Sequence, residues 1–164
     1  MEKTELLPEI DKTVTELLDL MFFLDEDKIN TVPYKDSWTA AQLLRHVTKS
    51  TIGMAKAMAA PDKPPGSEPD ARLPELQSVF LDFSTKLNSP EFIVPEAGPY
   101  EKDRSMQELK LAFDKLKDNA SKRDLNSLVE GLPLGPITKL EILHFSLYHT
   151  QRHLQQMKRI VDAL

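Results

Sequence analysis

Residues 138–164 decide the fold, and they read TKLEILHFSLYHTQRHLQQMKRIVDAL. The stretch opens on Thr138 with Glu141 three residues later, a pattern in which the two side chains cap the first free N–H groups of a helix. Behind that start a stripe recurs at four- and three-residue steps, formed by Leu143, Leu147, Thr150, Leu154, Met157, Val161 and Leu164. This spacing predicts one long amphipathic helix that packs in a bundle.

Three further stretches predict long helices of the same kind. Two of them carry the same start signal, as Thr39 before Gln42 and Ser105 before Glu108. The other lies near the start of the chain and places Pro8 in its first turn, ahead of an apolar stripe formed by Ile10, Val14, Leu17, Leu18, Met21 and Leu24. A shorter helix is expected over Leu76, Val79, Phe80 and Phe83.

The prolines separate these helices. Of the 12 prolines, most fall in residues 61–74 and 90–99, between the second and third long helices. The run from Pro90 to Pro95 is expected to be an extended segment lying over the bundle, and no strand pair is expected. The predicted fold class is therefore all-α, an antiparallel four-helix bundle with a long proline-rich connection between helices 2 and 3, formed by residues 1–164 as a single domain.

Composition excludes several classes of function. The chain has no cysteine, so Cys-dependent catalysis, iron–sulfur clusters and disulfides are impossible. The net charge of −5, with Lys and Arg dispersed, argues against nucleic-acid binding. No apolar run approaches the roughly 20 residues of a membrane span, so no membrane partner and a cytoplasmic location are expected. The expected partner is a small molecule.

The four histidines are the remaining source of metal ligands. His149 and His153 are four residues apart, which puts them one turn apart on the same face of the last helix. That face lies about 80–120° from the main stripe, and Ile142 and Ile160 extend it at both ends, so the pair is expected inside the bundle. His46 lies at the edge of the apolar stripe of the second helix and also points inward.

These three imidazoles could hold one divalent ion and leave a fourth coordination position open. His144 falls on another face of the last helix and is excluded. Gln156, one turn past His153, could orient that ligand, and Arg152 could attract an anionic group. The alternative is a non-catalytic bundle whose histidines are hydrogen-bonded core residues and whose role is dimerisation or partner binding.

Three segments in this order resemble the DinB-like superfamily: Ser37-Trp38-Thr39-Ala40-Ala41-Gln42-Leu43-Leu44-Arg45-His46, Gly135-Pro136-Ile137-Thr138 and Tyr148-His149-Thr150-Gln151-Arg152-His153-Leu154-Gln155-Gln156. The resemblance implies a four-helix bundle with a metal ion, commonly nickel or zinc, at the positions of His46, His149 and His153. Many relatives carry a double His followed by Arg-Gly-Gln in the last helix, whereas here Arg152 precedes His153. That difference leaves the ligand positions intact and alters the substrate neighbourhood.

The resemblance further implies a homodimer and one of two activities. Many members resemble thiol-dependent transferases that use bacillithiol, mycothiol or glutathione, and others resemble metal-dependent hydrolases. We predict a divalent-metal-dependent enzyme, with nickel or zinc, that transfers a low-molecular-weight thiol to a small electrophile; the alternatives are hydrolysis and the non-catalytic bundle. Because the chain lacks cysteine, the sulfur would come from the substrate or cofactor. Whether residues 61–74 gate the site stays open at this point.

Overall fold

Helices dominate the computed structural model, which describes residues 1–66 and 68–164. They are α1 (Lys3–Phe22), α2 (Glu26–Ile29), α3 (Ala40–Met58), α4 (Leu73–Phe80), α5 (Lys102–Ser121) and α6 (Lys139–Ala163). A 3₁₀ turn covers Glu91–Ile93, and the two short strands are β1 (Leu128–Val129) and β2 (Ile137–Thr138). Within the described ranges, no helix combines the length and apolarity needed to cross a bilayer.

Capping boxes start α3 and α6, as the sequence predicts. At α6 the Glu141 N–H donates to Thr138 Oγ1 at 3.2 Å, and the Thr138 N–H donates to Glu141 Oε2 at 2.9 Å. At α3 the reciprocal pair is Gln42 N–H to Thr39 Oγ1 at 3.1 Å and Thr39 N–H to Gln42 Oε1 at 3.0 Å. These caps fix the first residue of each helix that carries a histidine of the predicted site.

The start predicted at Ser105 is wrong, because α5 begins three residues earlier at Lys102. The Lys102 N–H donates to Glu26 Oε1 at 2.9 Å, so a carboxylate from α2 caps the helix across the fold. Ser105 lies within the first turns, where its hydroxyl donates to the Glu101 carbonyl at 2.8 Å. A cap supplied by a residue 76 positions away leaves no local pattern in the sequence.

Other details also differ from the prediction. Helix α1 begins at Lys3, so Pro8 lies inside the helix rather than in its first turn, and the buried Leu6 and Ile10 on either side keep that segment packed. Helix α4 ends at Phe80, before Phe83. The segment between Pro90 and Pro95 does lie against α3, but Glu91–Ile93 form a 3₁₀ turn where an extended segment was expected.

A strand pair that was not expected aligns the start of α6. Strands β1 and β2 are antiparallel, with Leu128 opposite Thr138. The ladder continues into the helix, since the Lys139 N–H donates to the Ser127 carbonyl at 3.0 Å. The Lys139 side chain is fully buried and donates from Nζ to the Ala60 carbonyl at 2.5 Å and to Asp62 Oδ1 at 2.6 Å. These contacts tie the beginning of α6 to the end of α3.

The long helices pack around one apolar core. Helix α3 contacts α5 and α6, α1 contacts α6 and α5, and α4 lies on α6. Fully buried members of this core include Leu6, Leu17, Met21, Leu43, Leu44, Leu109, Leu116, Leu143 and Met157. Helices α3 and α6 therefore face each other at a fixed separation, which sets where their polar side chains meet.

Two of the three Ser/Thr start signals, Thr138 and Ser105, have different expected effects on stability. Thr138→Ala removes the cap of α6 and the hydrogen bond from Thr138 Oγ1 to the Pro69 carbonyl at 2.5 Å, and should lower the free energy of unfolding by about 1–2 kcal/mol. Ser105→Ala should change it by less than about 0.5 kcal/mol, since alanine is the better helix former. Urea denaturation of both variants measures the difference. Equal losses would contradict the assignment of the caps.

Candidate metal centre

Three imidazoles meet between α3 and α6. The Nε2 atom of His46 lies 3.1 Å from that of His149 and 3.0 Å from that of His153, and the last two are 3.1 Å apart. All three residues are buried, with exposed fractions of 1%, 6% and 7%. When the histidine and acidic side chains of the described residues are compared, these three histidines are the ones whose ligand atoms lie close enough together to share an ion.

Two of the three rings are oriented by a hydrogen bond at Nδ1. The His46 Nδ1–H donates to the Ile93 carbonyl in the 3₁₀ turn at 2.9 Å. The His153 Nδ1–H donates to Gln156 Oε1 at 2.9 Å, one turn further along α6. The sequence predicted the position of Gln156 beside His153, and the structure places it there. Both bonds direct Nε2 of these rings toward the common point.

These tautomers leave a conflict at the centre of the cluster. A neutral imidazole carries one N–H, so His46 and His153, which donate from Nδ1, present bare lone pairs at Nε2. Their Nε2 atoms face each other at 3.0 Å with no hydrogen between them. His149 could donate to one or both, but it cannot relieve the contact between the other two. A cation located among the three nitrogens would relieve the repulsion between these lone pairs.

A proton does not serve as that cation at neutral pH. Burial first, and the neighbouring His46 as well, lower the pKa of His153 to about 3. Burial likewise holds the pKa of His149 well below its ordinary value, and it lowers the pKa of His46 against the raising effect of the bond to Ile93. The rings are therefore neutral near pH 7 and available as ligands.

The three nitrogens fit a divalent metal ion. The nitrogen ligands of a tetrahedral zinc ion, about 2.0–2.1 Å from the metal, lie roughly 3.3–3.4 Å apart. The observed separations of 3.0–3.1 Å need only a few tenths of an ångström of opening. Three neutral imidazoles suit zinc, nickel or copper, and three protein ligands leave a position for an exogenous molecule.

Aromatic rings enclose the imidazoles. Trp38 lies 4.9 Å from the His46 ring, and Phe145 stacks on His149 at 5.3 Å with an angle of 25° between the planes. Phe80 meets Phe145 edge-to-face at 4.9 Å. Such a shell lowers the local dielectric constant around the nitrogens, which strengthens the electrostatic interactions of any charge held there.

A cavity of about 1140 Å³ opens onto the cluster, and all three histidines line it. Its other walls come from residues 34–38, from α3 and α6, and from the segment between Val79 and Val94. The described residues of 61–74 do not contribute, so the part of the proline-rich connection that bounds the cavity is the later one. The volume is that of a site for a small molecule.

The family follows from a comparison of the whole chain. The sequence model of the DinB superfamily matches residues 9–157, which include all three histidines. The chain belongs to the DinB superfamily. A crystal structure of a conserved protein from Enterococcus faecalis is similar in fold, with a TM-score of 0.66 and 14% identity over 99% of this chain and 97% of that one. Among curated proteins, none matches.

The remaining candidates in this DinB-superfamily chain take other positions. His144 is buried outside the cluster, with Nδ1 3.1 Å from the Leu140 carbonyl and, in the described residues, no partner for Nε2. Arg152 lines the cavity and donates to the carbonyls of Asp82 and Thr85. Arg45 instead forms ion pairs with Glu96 and Glu108 at 3.2 and 3.5 Å.

Two contributions to the DinB site were missed in the sequence. The Ile93 carbonyl orients His46, and Phe145 stacks on His149. Every residue has a backbone carbonyl, so the residue type at position 93 gives no sign that this one accepts a hydrogen bond. The only indication was the expected location of the Pro90–Pro95 run over the bundle. Phe145 could have been found, because it lies four residues before His149 on the same helix face.

Zinc or nickel should stabilise the chelator-treated protein through this cluster. At a free metal concentration 100 times Kd the gain is about 2.7 kcal/mol, which raises Tm by several degrees. His149→Ala should abolish the rise, whereas His144→Ala, on the same helix but outside the cluster, should retain it. Thermal denaturation with and without metal, with metal content by elemental analysis, measures this. A shift that survives in His149→Ala would exclude the site.

Proposed function

We propose that the chain is a divalent-metal-dependent transferase that joins a low-molecular-weight thiol to a small electrophile. The observation that carries the proposal is the pair of bare Nε2 lone pairs of His46 and His153, held 3.0 Å apart on the wall of a large cavity. In the proposal His46, His149 and His153 hold nickel or zinc. When bound, such an ion lowers the pKa of a thiol or water at its open position.

The surrounding residues support this role by orientation and exclusion of water. Ile93 and Gln156 hold two rings in the tautomer that presents Nε2 to the ion, and each contact is 2.9 Å long. Trp38, Phe80 and Phe145 belong to the apolar part of the wall, against which the electrophile would lie. Among the described residues that line the cavity, only Asp36 carries a carboxylate, so the wall offers little that could act as a general base.

The scarcity of carboxylates in the described cavity wall favours thiol transfer over hydrolysis. Thiols ionise far more readily than water, so a lowered pKa alone produces a nucleophile from a thiol at neutral pH. In the proposed reaction a C–S bond forms between the thiol sulfur and the electrophilic carbon. The leaving group departs with its bonding electrons, and the thiol proton passes to solvent.

The finer description of the architecture is also a proposal. We infer that α1, α3, α5 and α6 are the four members of an antiparallel bundle, that residues 59–101 connect its second and third members, and that the chain is one domain. Support comes from the mutual packing of these four helices. The homodimer and the cytoplasmic location stay predictions from the residues and the family resemblance.

Product analysis separates transfer from hydrolysis. Protein loaded with nickel or zinc is incubated with 1-chloro-2,4-dinitrobenzene or styrene oxide, with and without glutathione, bacillithiol or mycothiol, and products are identified by mass spectrometry. We expect thioether formation above the uncatalysed rate only when a thiol is present, and its loss in His153→Ala. A water adduct formed without thiol would favour the hydrolase. Neither product, from protein that holds metal, would reject both enzymes.

Gln156 tests the orientation of the ligand. Gln156→Leu removes the acceptor for the His153 Nδ1–H, and loss of such a partner typically lowers metal affinity 10- to 100-fold. Gln155→Leu is the matched control, since Gln155 lies outside the cavity that the histidines line. Competition with a colorimetric zinc chelator gives both affinities. Equal zinc affinity in the two variants would show that the bond to His153 does not matter for the ion.

A further inference from the structure

The charge around the cavity is opposite in sign to that of the chain. Among the described residues that line it, the cationic side chains are Lys35, Lys49, Lys86, Arg152 and Arg159, and the acidic side chain is Asp36. The whole chain carries a net charge of −5. A cavity that gathers cations within an acidic protein attracts anions, because low-dielectric walls focus the field of its charges.

The cation on the α3 side of the cavity is already compensated. Lys49 Nζ lies 3.0 Å from Glu96 Oε1 and donates to the Val94 carbonyl at 3.0 Å. Those contacts attach the segment after Pro90 to α3. Lys49 therefore has a structural partner and is not the group that an anionic ligand would need to neutralise.

The cations on the α6 side are not compensated. In sequence Arg152 falls between the two α6 histidines, and its side chain is half-buried. Its guanidinium donates to the neutral backbone carbonyls of Asp82 and Thr85. The Asp82 carboxylate raises the pKa of Arg152 from a distance, but it accepts from Ser84 and Thr85 instead of pairing with the guanidinium. In the described residues no acidic side chain lies within ion-pair distance of Arg152.

Arg159 extends this positive surface along the same helix. It is seven residues after Arg152, two turns away on the same face of α6, and both line the cavity. Arg159 is exposed, and in the described part of the chain it forms no ion pair. The positive charge of Arg159 repels that of Arg152. The pKa of Arg152 is lowered by burial first and by Arg159 as well. Two guanidinium groups therefore line one cavity, and neither forms an ion pair with a carboxylate of the described residues.

We propose that the small molecule that reaches the three histidines carries an anionic oxygen group, a carboxylate or a phosphate, which Arg152 and Arg159 bind. This rests on the proposed function, because it takes the cavity as the substrate or cofactor site. Guanidinium groups bind such anions through paired N–H donors. The apolar part of the molecule would lie against Trp38 and Phe80, and the exposed Lys35 and Lys86 would attract the anion as it approaches.

Binding of simple aromatic probes tests the proposal without turnover. Trp38 is the only tryptophan and lines the cavity, so its fluorescence reports occupancy. The probes are benzoate, phenyl phosphate, benzyl alcohol and benzylamine, which share a ring and differ in charge. We expect one or both anions to bind at least about fivefold more tightly than benzyl alcohol, and benzylamine to bind more weakly than either anion. Isothermal titration calorimetry measures the same affinities independently of Trp38.

Variants then locate the charge. Arg159→Gln should weaken the preferred anion about threefold and leave benzyl alcohol unchanged, since an exposed ion pair is worth that much. Lys158→Gln is the matched control: it removes the same charge one residue away, on a side chain outside the cavity. It should alter anion binding by less than a factor of about 1.5. The ratio of phenyl phosphate to benzoate affinity shows whether phosphate or carboxylate is preferred.

The measurement is made on the protein as purified and again after chelator treatment and dialysis. A preference for anions that persists without metal and falls in Arg159→Gln supports the proposal, even if no transferase activity is found. Equal binding of benzoate and benzyl alcohol would overturn it. So would an anion preference that disappears with the metal and is unaffected by Arg159→Gln, because the ion itself would then bind the anion.

Discussion

The contact between His46 Nε2 and His153 Nε2, 3.0 Å apart, is the constraint around which the structure is organised. Two lone pairs repel at this distance, so the fold must hold them together against their own interaction. The packing of α3 on α6 holds the two rings together. The capping boxes fix where α3 and α6 begin, and the buried Lys139 anchors the start of α6, so the position of each histidine along its helix is set. Stability from the apolar core thus maintains a locally unfavourable arrangement, as is usual at functional sites.

The cavity divides its chemistry between two helices. On the α3 side, Lys49 is neutralised by Glu96, which also pairs with Arg45 outside the cavity lining and holds the segment around Ile93 against the helix. On the α6 side, ligands and cations alternate along one face, with His149, Arg152, His153, Gln156 and Arg159 all lining the cavity. The α3 wall thus contributes His46 and a neutralised lysine, whereas the α6 wall also presents cations that form no ion pair within the described residues.

Much of the site was predictable because it depends on helix periodicity. A repeat of 3.6 residues places His149 and His153 together, and the same geometry directs His46 inward from α3. The cap of α5 by Glu26 and the bond from His46 to the Ile93 carbonyl were not predictable. Both are contacts between distant parts of the chain, and neither requires a particular residue pattern near the group that it satisfies.

The sequence separation of the cluster has a consequence for the chain as a polymer. His46 is 103 residues from His149 and 107 from His153, so whatever holds the three rings together closes a loop that spans α4, α5 and both strands. A permanent link over about 100 residues removes up to roughly 4.7 kcal/mol of denatured-state entropy at 25 °C. A bound ion would act as a reversible link of this kind. The unfolding pathway would then depend on whether the ion dissociates before or after the apolar core opens.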